Sequence, residues 1–490
     1  MKLFKKLVLF IILVLLLEFV VFSVNINNNE KQFVKVAPGG SYFEINGKPL
    51  ICIGFNDSII WPSLSGLWNN SDLKDVSNYF STLHSYGINT LRIFFEYDQD
   101  PTGSTLFEDP LGNVNESLID VWNNIFKYAK EYDIYLIIEP FDPYWMSQNW
   151  AESPFNIKNG GPINSLDEFL TNEQCIKDTE FRFRFMIDHW GDSSHILAWE
   201  INNEIDLWYG QNPDVIAKWI KTISDFIVSY EDKKFGHHHL ITVSTAAPIL
   251  FPPFSNIFYD NKYLDFFTTH LYMPAVKNPT NVIEPAIEVS QAIAYNLSKL
   301  NYSKPYLDSE DGPIDNWPLP LDFDAKYYHN MSWAELASGS AGIGLRWPYR
   351  IPHDMLYPDL LKTDKTISEF VDSPGINWLD FKACYDSYDV KINDPIDNYL
   401  IPFSCGDSNA RIVWLLKDSR KDLSDVNLSA VEFTISNLDD GTYTIELWNT
   451  ETGKIINSVT SKTYNRSLIL ETDLSNLSDI AIKIYKNPQD

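Results

Sequence analysis

The chain has 490 residues, a formal net charge of −28 and an aromatic content of 14%. This length predicts one large domain and one smaller domain. Nucleic acid is excluded as a partner, because phosphate binding needs clustered Lys and Arg, and 38 such residues stand against 66 Asp and Glu. Neutral partners remain allowed.

The N-terminus has the layout of an export signal. Three lysines within residues 2–6 precede an apolar run over 7–17, and a second apolar run over 19–24 follows Glu18. No small-x-small cleavage site is evident, so residues 1–24 form either a cleaved signal peptide or a retained membrane anchor. We therefore expect an extracellular protein, either secreted or tethered to the outer face of a membrane.

Eight short apolar runs occur before residue 350, with helical patterns between most of them. Buried parallel strands are nearly continuous in hydrophobicity, and the run at 134–138 shows this character. The pattern predicts an α/β fold, a (β/α)8 TIM barrel. The predicted strands are 51–55, 90–94, 134–138, 196–201, 240–244, 266–271, 306–307 with its continuation, and 342–347.

The segments between the predicted strands have amphipathic helical spacing. Apolar residues recur every three or four positions over 118–128, after a cap at Asn115 or Ser117, and again over 215–227. The long gap between the third and fourth strands contains tryptophans and a Gly pair at 160–161. We expect this insertion on the barrel face where active sites lie.

From about Tyr385 the pattern changes to alternating apolar and polar residues between turns that contain Asp and Gly. Runs at 411–416, 431–435 and 442–448 show this alternation, which predicts a C-terminal β-sandwich. We expect this domain to act in stability or in attachment to a surface. The predicted parts are 1–24, a barrel domain over 25–384 and an accessory domain over 385–490.

Four cysteines are too few for a disulfide scaffold. Cys52 and Cys175 fall in an apolar strand and a helix, where we expect buried free thiols. Cys384 and Cys405 flank a loop and could pair in an oxidising compartment, which the sequence leaves open. The residues 237–239, three consecutive histidines, point to alternate faces of an extended segment, so we expect a solvated entry to the fifth strand. No Cys or His cluster has zinc spacing, so we expect no metal and no cofactor.

Two predicted strands end in glutamates, the fourth at Glu204 and the seventh at Glu310. Cleaving a glycosidic bond with retention needs an acid that protonates the leaving oxygen and a carboxylate that attacks the anomeric carbon, roughly 5 to 5.5 Å apart. The carboxyl ends of barrel strands meet at one face, so these residues are a candidate pair. A lone Glu at a strand end is more often solvated than catalytic, and the assignment therefore depends on the residues around the pair.

The motif Trp-Glu-Ile-Asn-Asn-Glu at 199–204 resembles the Asn-Glu acid/base motif of glycoside hydrolase clan A, especially family 5. The lead-in at 154–162, 182–187 and 190–191 resembles that of cellulase-like and mannanase-like members of the clan. The resemblance covers about 43–347, and the C-terminal domain resembles the accessory domain that some of these enzymes carry.

The resemblance implies a role for each matched residue. Glu204 matches the general acid/base, and Glu310 matches the nucleophile. Asn203 would donate to the sugar 2-hydroxyl, and Arg92 would hold the nucleophile ionised.

Three further positions match the clan. His270 and Tyr272 match its His-x-Tyr motif, in which the Tyr hydroxyl donates to the nucleophile and the His lies near the acid/base. Trp347 matches the stacking platform for the sugar in the −1 subsite.

Two positions depart from the family pattern. Relatives often carry His at the end of strand three, where this chain has Glu-Pro-Phe-Asp at 139–142, and Asp311 follows the nucleophile in place of an aromatic residue or Gly. We predict that Glu139 either binds sugar hydroxyls or pairs with a cation such as Arg92. Repulsion among the acids at 308–311 would raise the pKa of one of these carboxylates.

The sequence therefore predicts a retaining, endo-acting β-glycanase that acts on a β-linked polysaccharide, with mannan endo-1,4-β-mannosidase as the leading assignment. A cellulase or other β-glucanase is the alternative, and a non-catalytic polysaccharide-binding surface protein is a third. The joint presence of both glutamates and their polar partners argues against the third. Asp206, Trp208 and Tyr209 either line subsites for the leaving group or cap the next helix. We expect the chain to act as a monomer.

Overall fold

The computed structural model describes most of the chain beyond its N-terminal segment. Residues 1–24, predicted as a signal peptide or anchor, lie outside the described residues. No helix in the described part is long and apolar enough to cross a membrane. The described residues are 33–61, 63–68, 73–96, 105–208, 210, 212–273, 280–312, 319–347, 356–386, 389–393 and 395–487.

A small antiparallel sheet of three strands precedes a larger set of parallel strands. These eleven strands are β1 (Lys35–Val36), β2 (Phe43–Ile45), β3 (Lys48–Leu50), β4 (Gly54–Ser58), β5 (Thr90–Phe94), β6 (Tyr135–Glu139), β7 (Ile196–Glu200), β8 (Leu240–Thr242), β9 (Ser244–Thr245), β10 (Phe267–Leu271) and β11 (Tyr306–Asp311).

Parallel pairing joins β4 to β8 in chain order, and β9, β10 and β11 form a second parallel group. Only Val243 separates β8 from β9. Residues 342–346 complete the ring, because they form parallel bridges to Cys52 and Phe55 on one side and to Asp311 on the other. Eight parallel segments thus alternate with helices in the arrangement of a (β/α)8 barrel.

The helices lie between these strands along the chain. They are α1 (Ser65–Trp68), α2 (Leu73–Ser85), α3 (Ser117–Glu131), α4 (Pro143–Gln148), α5 (Glu173–Trp190), α6 (Ile205–Trp208), α7 (Pro213–Phe235), α8 (Phe254–Phe258), α9 (Glu284–Lys299), α10 (Leu321–Ser338) and α11 (Pro358–Asp372). The apolar stripe predicted over 118–128 is confirmed, since its members are buried on one face of α3.

Helix caps explain where the long helices begin. The Asn172 side chain accepts from the first backbone N–H groups of α5, and Asn212 does the same for α7. The cap predicted for α3 was wrong, because Glu116 holds the N-cap position without a side-chain hydrogen bond. Asn115 instead accepts from the N–H of Ser117 at 3.2 Å.

The first barrel strand extends further than predicted. The prediction ended at Phe55, the last apolar residue, but β4 continues through buried polar residues to Ser58. Asn56 and Asp57 are tolerated inside because their side chains are hydrogen-bonded. Asn56 donates to the Ser309 carbonyl at 2.9 Å, and Asp57 accepts from Ser63 at 2.7 Å.

The three histidines at 237–239 alternate as predicted, but they do not form a fully solvated entry. His238 is exposed beside Asp232, whereas His239 is buried. The carboxylate of Glu231 lies 2.8 Å from both the backbone nitrogen and Nδ1 of His239. The prediction was wrong for His239, because a buried acid on α7 satisfies it.

The C-terminal strands form two antiparallel sheets that share one hydrophobic core. The strands are β12 (Cys384–Tyr385), β13 (Val390–Ile392), β14 (Leu400–Gly406), β15 (Ala410–Lys417), β16 (Val431–Ile435), β17 (Thr442–Asn449), β18 (Lys454–Lys462), β19 (Leu468–Thr472) and β20 (Asp479–Lys486). The strand order is β12-β14-β15-β20-β17-β18 in one sheet and β13-β16-β19 in the other.

Helix α10 packs against β14 and β15 and so joins the barrel to the C-terminal sheets. At this contact Asp479 is buried and accepts from Trp414 at 2.9 Å, and Nε2 of His329 lies 3.2 Å from both of its oxygens. Cys384 lies opposite Gly406 in the β12–β14 pairing, and all four cysteines are free thiols. The structure therefore contains no bond between Cys384 and Cys405.

Candidate active site

The carboxyl ends of the barrel strands carry the residues singled out from the sequence. Arg92 lies in β5, Glu310 lies in β11, and Glu204 follows β7. His270 lies in β10, and Tyr272 follows it. Arg92 and Tyr272 both donate to Glu310, and His270 is hydrogen-bonded to Glu204. Nδ1 of His270 lies 3.7 Å from Oε2 of Glu310, so the two groups are neighbours.

Arg92 is fully buried, and all five of its N–H donors are used. Nε and one terminal nitrogen hold Glu200 in a bidentate pair at 2.7 and 2.8 Å. The remaining bonds go to Glu310 at 3.0 Å, and to Asn56 and Asn203 at 2.8 Å each. Glu200 was missed in the sequence, although a charged residue inside an otherwise apolar strand signals a buried ionic partner.

Glu310 is surrounded by groups that favour its ionised form. Oε2 accepts from Arg92, and Oε1 accepts from the Tyr272 hydroxyl. Burial alone would raise the pKa of Glu310, but the charges of His270 and Arg92 and the hydrogen bond from Tyr272 outweigh it. They hold this pKa below its ordinary value. A carboxylate that stays ionised in a buried site is suited to act as a nucleophile.

Glu204 lies in a strained backbone conformation. Its φ is +42°, in the left-handed region that a non-glycine residue rarely adopts. Its N–H donates to Oγ of Ser244 at 3.0 Å, and its Oε1 lies 2.7 Å from Nδ1 of His270. Burial lowers the pKa of His270, but the carboxylates of Glu310 and Glu204 raise it above its ordinary value overall.

The two glutamates lie close together. One carboxylate oxygen of Glu204, one of Glu310 and a ring nitrogen of His270 all lie within 4.8 Å of one another. The Glu204 side chain is 15% exposed and the Glu310 side chain is 10% exposed, so both reach the surface of the cleft. This is an acid pair at the close spacing that a double displacement requires.

Aromatic rings form one wall beside Glu310. Trp347 stacks on Phe94 with ring centroids 5.5 Å apart and an interplanar angle of 8°, and it contacts Trp61 at 4.8 Å. The hydrogen bond from Trp347 to Glu310 also lowers the pKa of that carboxyl. Trp347 is thus held against the Glu310 carboxylate, at the end of the eighth strand segment where the sugar platform was predicted.

The structure does not support Glu139 as a sugar contact. Glu139 is completely buried, and its Oε1 accepts from the N–H of Phe141 at 2.7 Å. Burial, followed by repulsion from Glu200, raises its pKa well above the ordinary value. Arg92 attracts this carboxyl at a distance but gives it no hydrogen bond, because Glu200 takes the bidentate position.

Asp206 binds a neighbouring loop and does not cap α7. Its carboxylate accepts from the backbone N–H groups of Ala246 and Ala247 at 2.8 and 3.1 Å, so it fixes the loop after β9. Asn212 caps α7 instead. The Trp208 side chain and Tyr209 lie outside the described residues.

A second group of acids, Asp308, Asp311 and Glu335, lies beside Glu310. Burial first, and then the neighbouring acids, raise the pKa of Asp308 and Glu335 well above their ordinary values. The pKa of Asp311 is raised to about 7. The predicted rise is confirmed in direction, but burial is its largest cause.

Among the described residues, two groups have the spacing that a metal ion could use. Retaining hydrolysis by two carboxylates needs no metal. The groups are Glu204, His270 and Glu310, and Asp308, Asp311 and Glu335.

Comparison with known proteins agrees with this geometry. The chain is 26% identical over 216 residues to mannan endo-1,4-beta-mannosidase 5 of Solanum lycopersicum, which is 42% of this chain and 50% of that protein. It is 27% identical over 216 residues to a probable mannan endo-1,4-beta-mannosidase A of Aspergillus flavus, covering 42% and 51%. The chain thus spans about half the length of these relatives.

Solved structures share the fold. A family 5 glycoside hydrolase of Bacteroides vulgatus aligns over 94% of this chain and 95% of its own, with 13% identity and a TM-score of 0.58. A second glycoside hydrolase structure from the same organism aligns over 94% and 83%, with 12% identity and a TM-score of 0.59. Residues 44–297 match the model of the family described as Cellulase (glycosyl hydrolase family 5). The chain therefore belongs to glycosyl hydrolase family 5.

Proposed function

We propose that the chain is a retaining endo-β-1,4-mannanase, with Glu310 as nucleophile and Glu204 as general acid/base. The observation that carries the proposal is the spacing of the two glutamates, whose oxygens lie within 4.8 Å of each other. Inverting enzymes keep their carboxyl groups roughly 6.5 to 9.5 Å apart, because a water molecule must fit between the acid and the sugar. The shorter separation leaves room for direct attack.

In the first step the Glu310 carboxylate attacks the anomeric carbon while the bond to the leaving oxygen breaks. Glu204 donates its proton to that oxygen. Arg92 and Tyr272 keep Glu310 ionised before the attack, since both hydrogen-bond its charged form. The product of this step is a glycosyl ester on Glu310 and a free alcohol.

In the second step a water molecule attacks the anomeric carbon of the ester, and Glu204, now deprotonated, takes its proton. The bond to Glu310 breaks and the carboxylate is restored. Two inversions give net retention. His270 contacts Glu204 at 2.7 Å and so fixes the carboxyl that must both give and take a proton.

Mannan is the proposed substrate because the curated relatives are mannan endo-1,4-beta-mannosidases. A β-glucanase is the second candidate, since the matching family is described as Cellulase. Both substrates are β-linked hexopyranosides, and the residues at the bond that is cleaved serve either sugar.

A substrate panel separates these candidates. Mannan, glucomannan, carboxymethylcellulose and aryl β-glycosides would be incubated with the full chain, with Glu310→Gln as the matched blank. We expect mannan and glucomannan to yield short oligosaccharides. Release from carboxymethylcellulose without release from mannan would assign a β-glucanase. A folded chain that binds these polymers and cleaves none of them would be a binding protein.

We also propose that the chain acts outside the cell, through the export signal read at residues 1–24, and that residues 385–490 form an accessory β-sandwich. The buried contact between His329 and Asp479 supports a structural role for this part, because it ties β20 to α10 of the barrel. Removal of the accessory part from a chain that still folds should leave cleavage of a small aryl glycoside intact.

A further inference from the structure

One acid of the cleft, Asp142, takes no part in the proposed reaction. Asp142 follows β6 and is the N-cap residue of α4, where its Oδ1 accepts from the N–H of Tyr144 at 3.1 Å. The same oxygen accepts from Nδ2 of Asn203 at 3.3 Å. Asp142 is 8% exposed, whereas Glu139 in the same segment is fully buried. Asp142 is therefore the acid of this segment that borders the catalytic pair.

The surroundings of Asn203 leave one way to orient its amide. Oδ1 already accepts from Arg92 at 2.8 Å and from the Ser244 hydroxyl at 3.2 Å. An amide oxygen has two acceptor sites, so this atom is fully used. Nδ2 has two hydrogens, and one of them goes to Asp142. The other hydrogen is left to donate to a ligand in the cleft.

A carboxyl group is a costly choice for this position. Burial and the nearby carboxylates of Glu310 and Glu204 raise the pKa of Asp142 to about 7. Capping alone does not need a charged residue, since the neutral side chains of Asn172 and Asn212 cap the much longer helices α5 and α7. Asp142 differs from those two caps because it also contacts Asn203.

We propose that Asp142 is a positioning residue of the sugar site, which holds the Asn203 amide so that its second N–H faces the 2-hydroxyl of the sugar being cleaved. This inference rests on the proposed function, in which Asn203 donates to that hydroxyl. It assigns a task to the strand-three position where the chain departs from its relatives.

The test compares a dinitrophenyl β-glycoside that the full chain cleaves with the corresponding 2-deoxy glycoside. Mannose and glucose have the same 2-deoxy sugar, so the comparison does not depend on which of them is the natural substrate. Asp142→Ala should lower kcat/KM about tenfold on the glycoside with the 2-hydroxyl and less than about threefold on the 2-deoxy glycoside. Asn203→Ala should show the same contrast, and the double variant should be no slower than Asn203→Ala alone.

Conservative variants separate positioning from capping. Asp142→Asn keeps an oxygen for both N–H donors and should retain activity within about threefold. Asp142→Ser keeps a capping hydroxyl but is too short to hold Asn203, so it should behave like Asp142→Ala. The matched control is Asn449→Ala, which removes a side-chain oxygen that accepts from the backbone N–H groups of Glu451 and Thr452 in the C-terminal sheet and should leave both rates unchanged.

Two results overturn the inference in distinguishable ways. Equal losses on the two glycosides in Asp142→Ala, or full activity in Asp142→Ser, would show that the residue acts only as a cap or a charge. A wild-type chain that cleaves neither glycoside would overturn the proposed function, and the inference with it.

Discussion

The acids of strand β11 have pKa values that are shifted in opposite directions. The pKa of Glu310 is lowered, whereas the pKa of Asp308 and of Asp311 is raised. All three are buried, so burial does not distinguish them. The difference lies in the neighbours, because Glu310 faces Arg92 and His270 whereas Asp308 faces Glu335 and Asp311. Glu310 and Asp308 therefore differ through the charges of their neighbours, whereas Asp311 lies near Arg346 and burial still raises its pKa.

The buried acids still contribute to the site through hydrogen bonds. Oδ1 of Asp308 accepts from the N–H of Leu271 and from that of Glu310, both at 3.2 Å. Glu335 on α10 accepts from the N–H of Gly344 at 2.5 Å. These bonds connect β10, β11 and the eighth strand segment. These acids therefore fix the backbone that carries Glu310.

The largest effect should come from removing the nucleophile. Glu310→Ala should lower kcat by about 10,000-fold or more on every substrate, because no other carboxylate can form the glycosyl ester. Asp308→Asn should lose far less, since an Asn oxygen can still accept from the backbone N–H groups of Leu271 and Glu310. Steady-state kinetics on an aryl glycoside would measure both. An Asp308→Asn or Asp311→Asn variant as inactive as Glu310→Ala would show that the wrong acid of β11 was chosen.

Glu204→Ala should lose activity in a way that depends on the leaving group. With a dinitrophenyl glycoside, which needs no protonation, the variant should form its glycosyl ester in a burst and then turn over slowly. Added azide should speed the slow phase and give a β-glycosyl azide. In Glu310→Ala, azide should attack directly and give the α-azide. The opposite products would reverse the two roles.

Loss of the cationic partner should change both stability and the acid limb of activity. Arg92→Lys keeps the charge but loses the fork that holds Glu200, so the free energy of unfolding should fall by about 3 kcal/mol. In Arg92→Gln, which loses the charge as well, the acid limb of kcat/KM should move to higher pH, because the charge of Arg92 helps to hold down the pKa of Glu310. Urea unfolding and a pH profile would measure these changes. An unchanged acid limb would contradict the role given to Arg92.

The smallest effect concerns the buried acids and depends on pH. These acids have a higher pKa in the folded state than in the unfolded state. The stability that they contribute is therefore fully present below their unfolded pKa of roughly 4, and it is lost as the pH rises. For Asp311 that loss runs through a folded pKa of about 7. Glu335→Gln removes one repelling acid and should raise the free energy of unfolding by about 1–2 kcal/mol at pH 8, with little change at pH 4. Glu131→Gln, on exposed surface, is the control. Equal effects of Glu335→Gln at both pH values would contradict the account.

The sequence predicted the parts of the fold that depend on local pattern. The bounds of β5 and β16 match the predicted runs, because apolar residues flank Arg92 in β5 and alternate with polar residues in β16. It failed where polar residues are buried, as in the extension of β4 through Asn56 and in the depth of His239. Such residues read as surface positions until the partners that satisfy them are known, and those partners lie far along the chain.

The candidate site likewise contains residues that the sequence could identify and residues that it could not. Residues with a motif, such as Asn203 and His270, could be named from the sequence. Glu200 and Ser244 could not, because their task is to hold Arg92 and Asn203, and only the folded ring brings them together. The choice between Glu139 and Asp142 likewise depends on how the backbone turns after β6.

The central claim, that Glu204 and Glu310 act as a close pair in a double displacement, is tested most directly by the stereochemistry of the wild-type reaction. Proton NMR would follow the first-formed reducing end during cleavage of an activated β-glycoside, before the sugar equilibrates. The account predicts that the β anomer appears first, because two inversions restore the starting configuration. Initial release of the α anomer would show a single displacement by water and would contradict the assignment of Glu310 as nucleophile.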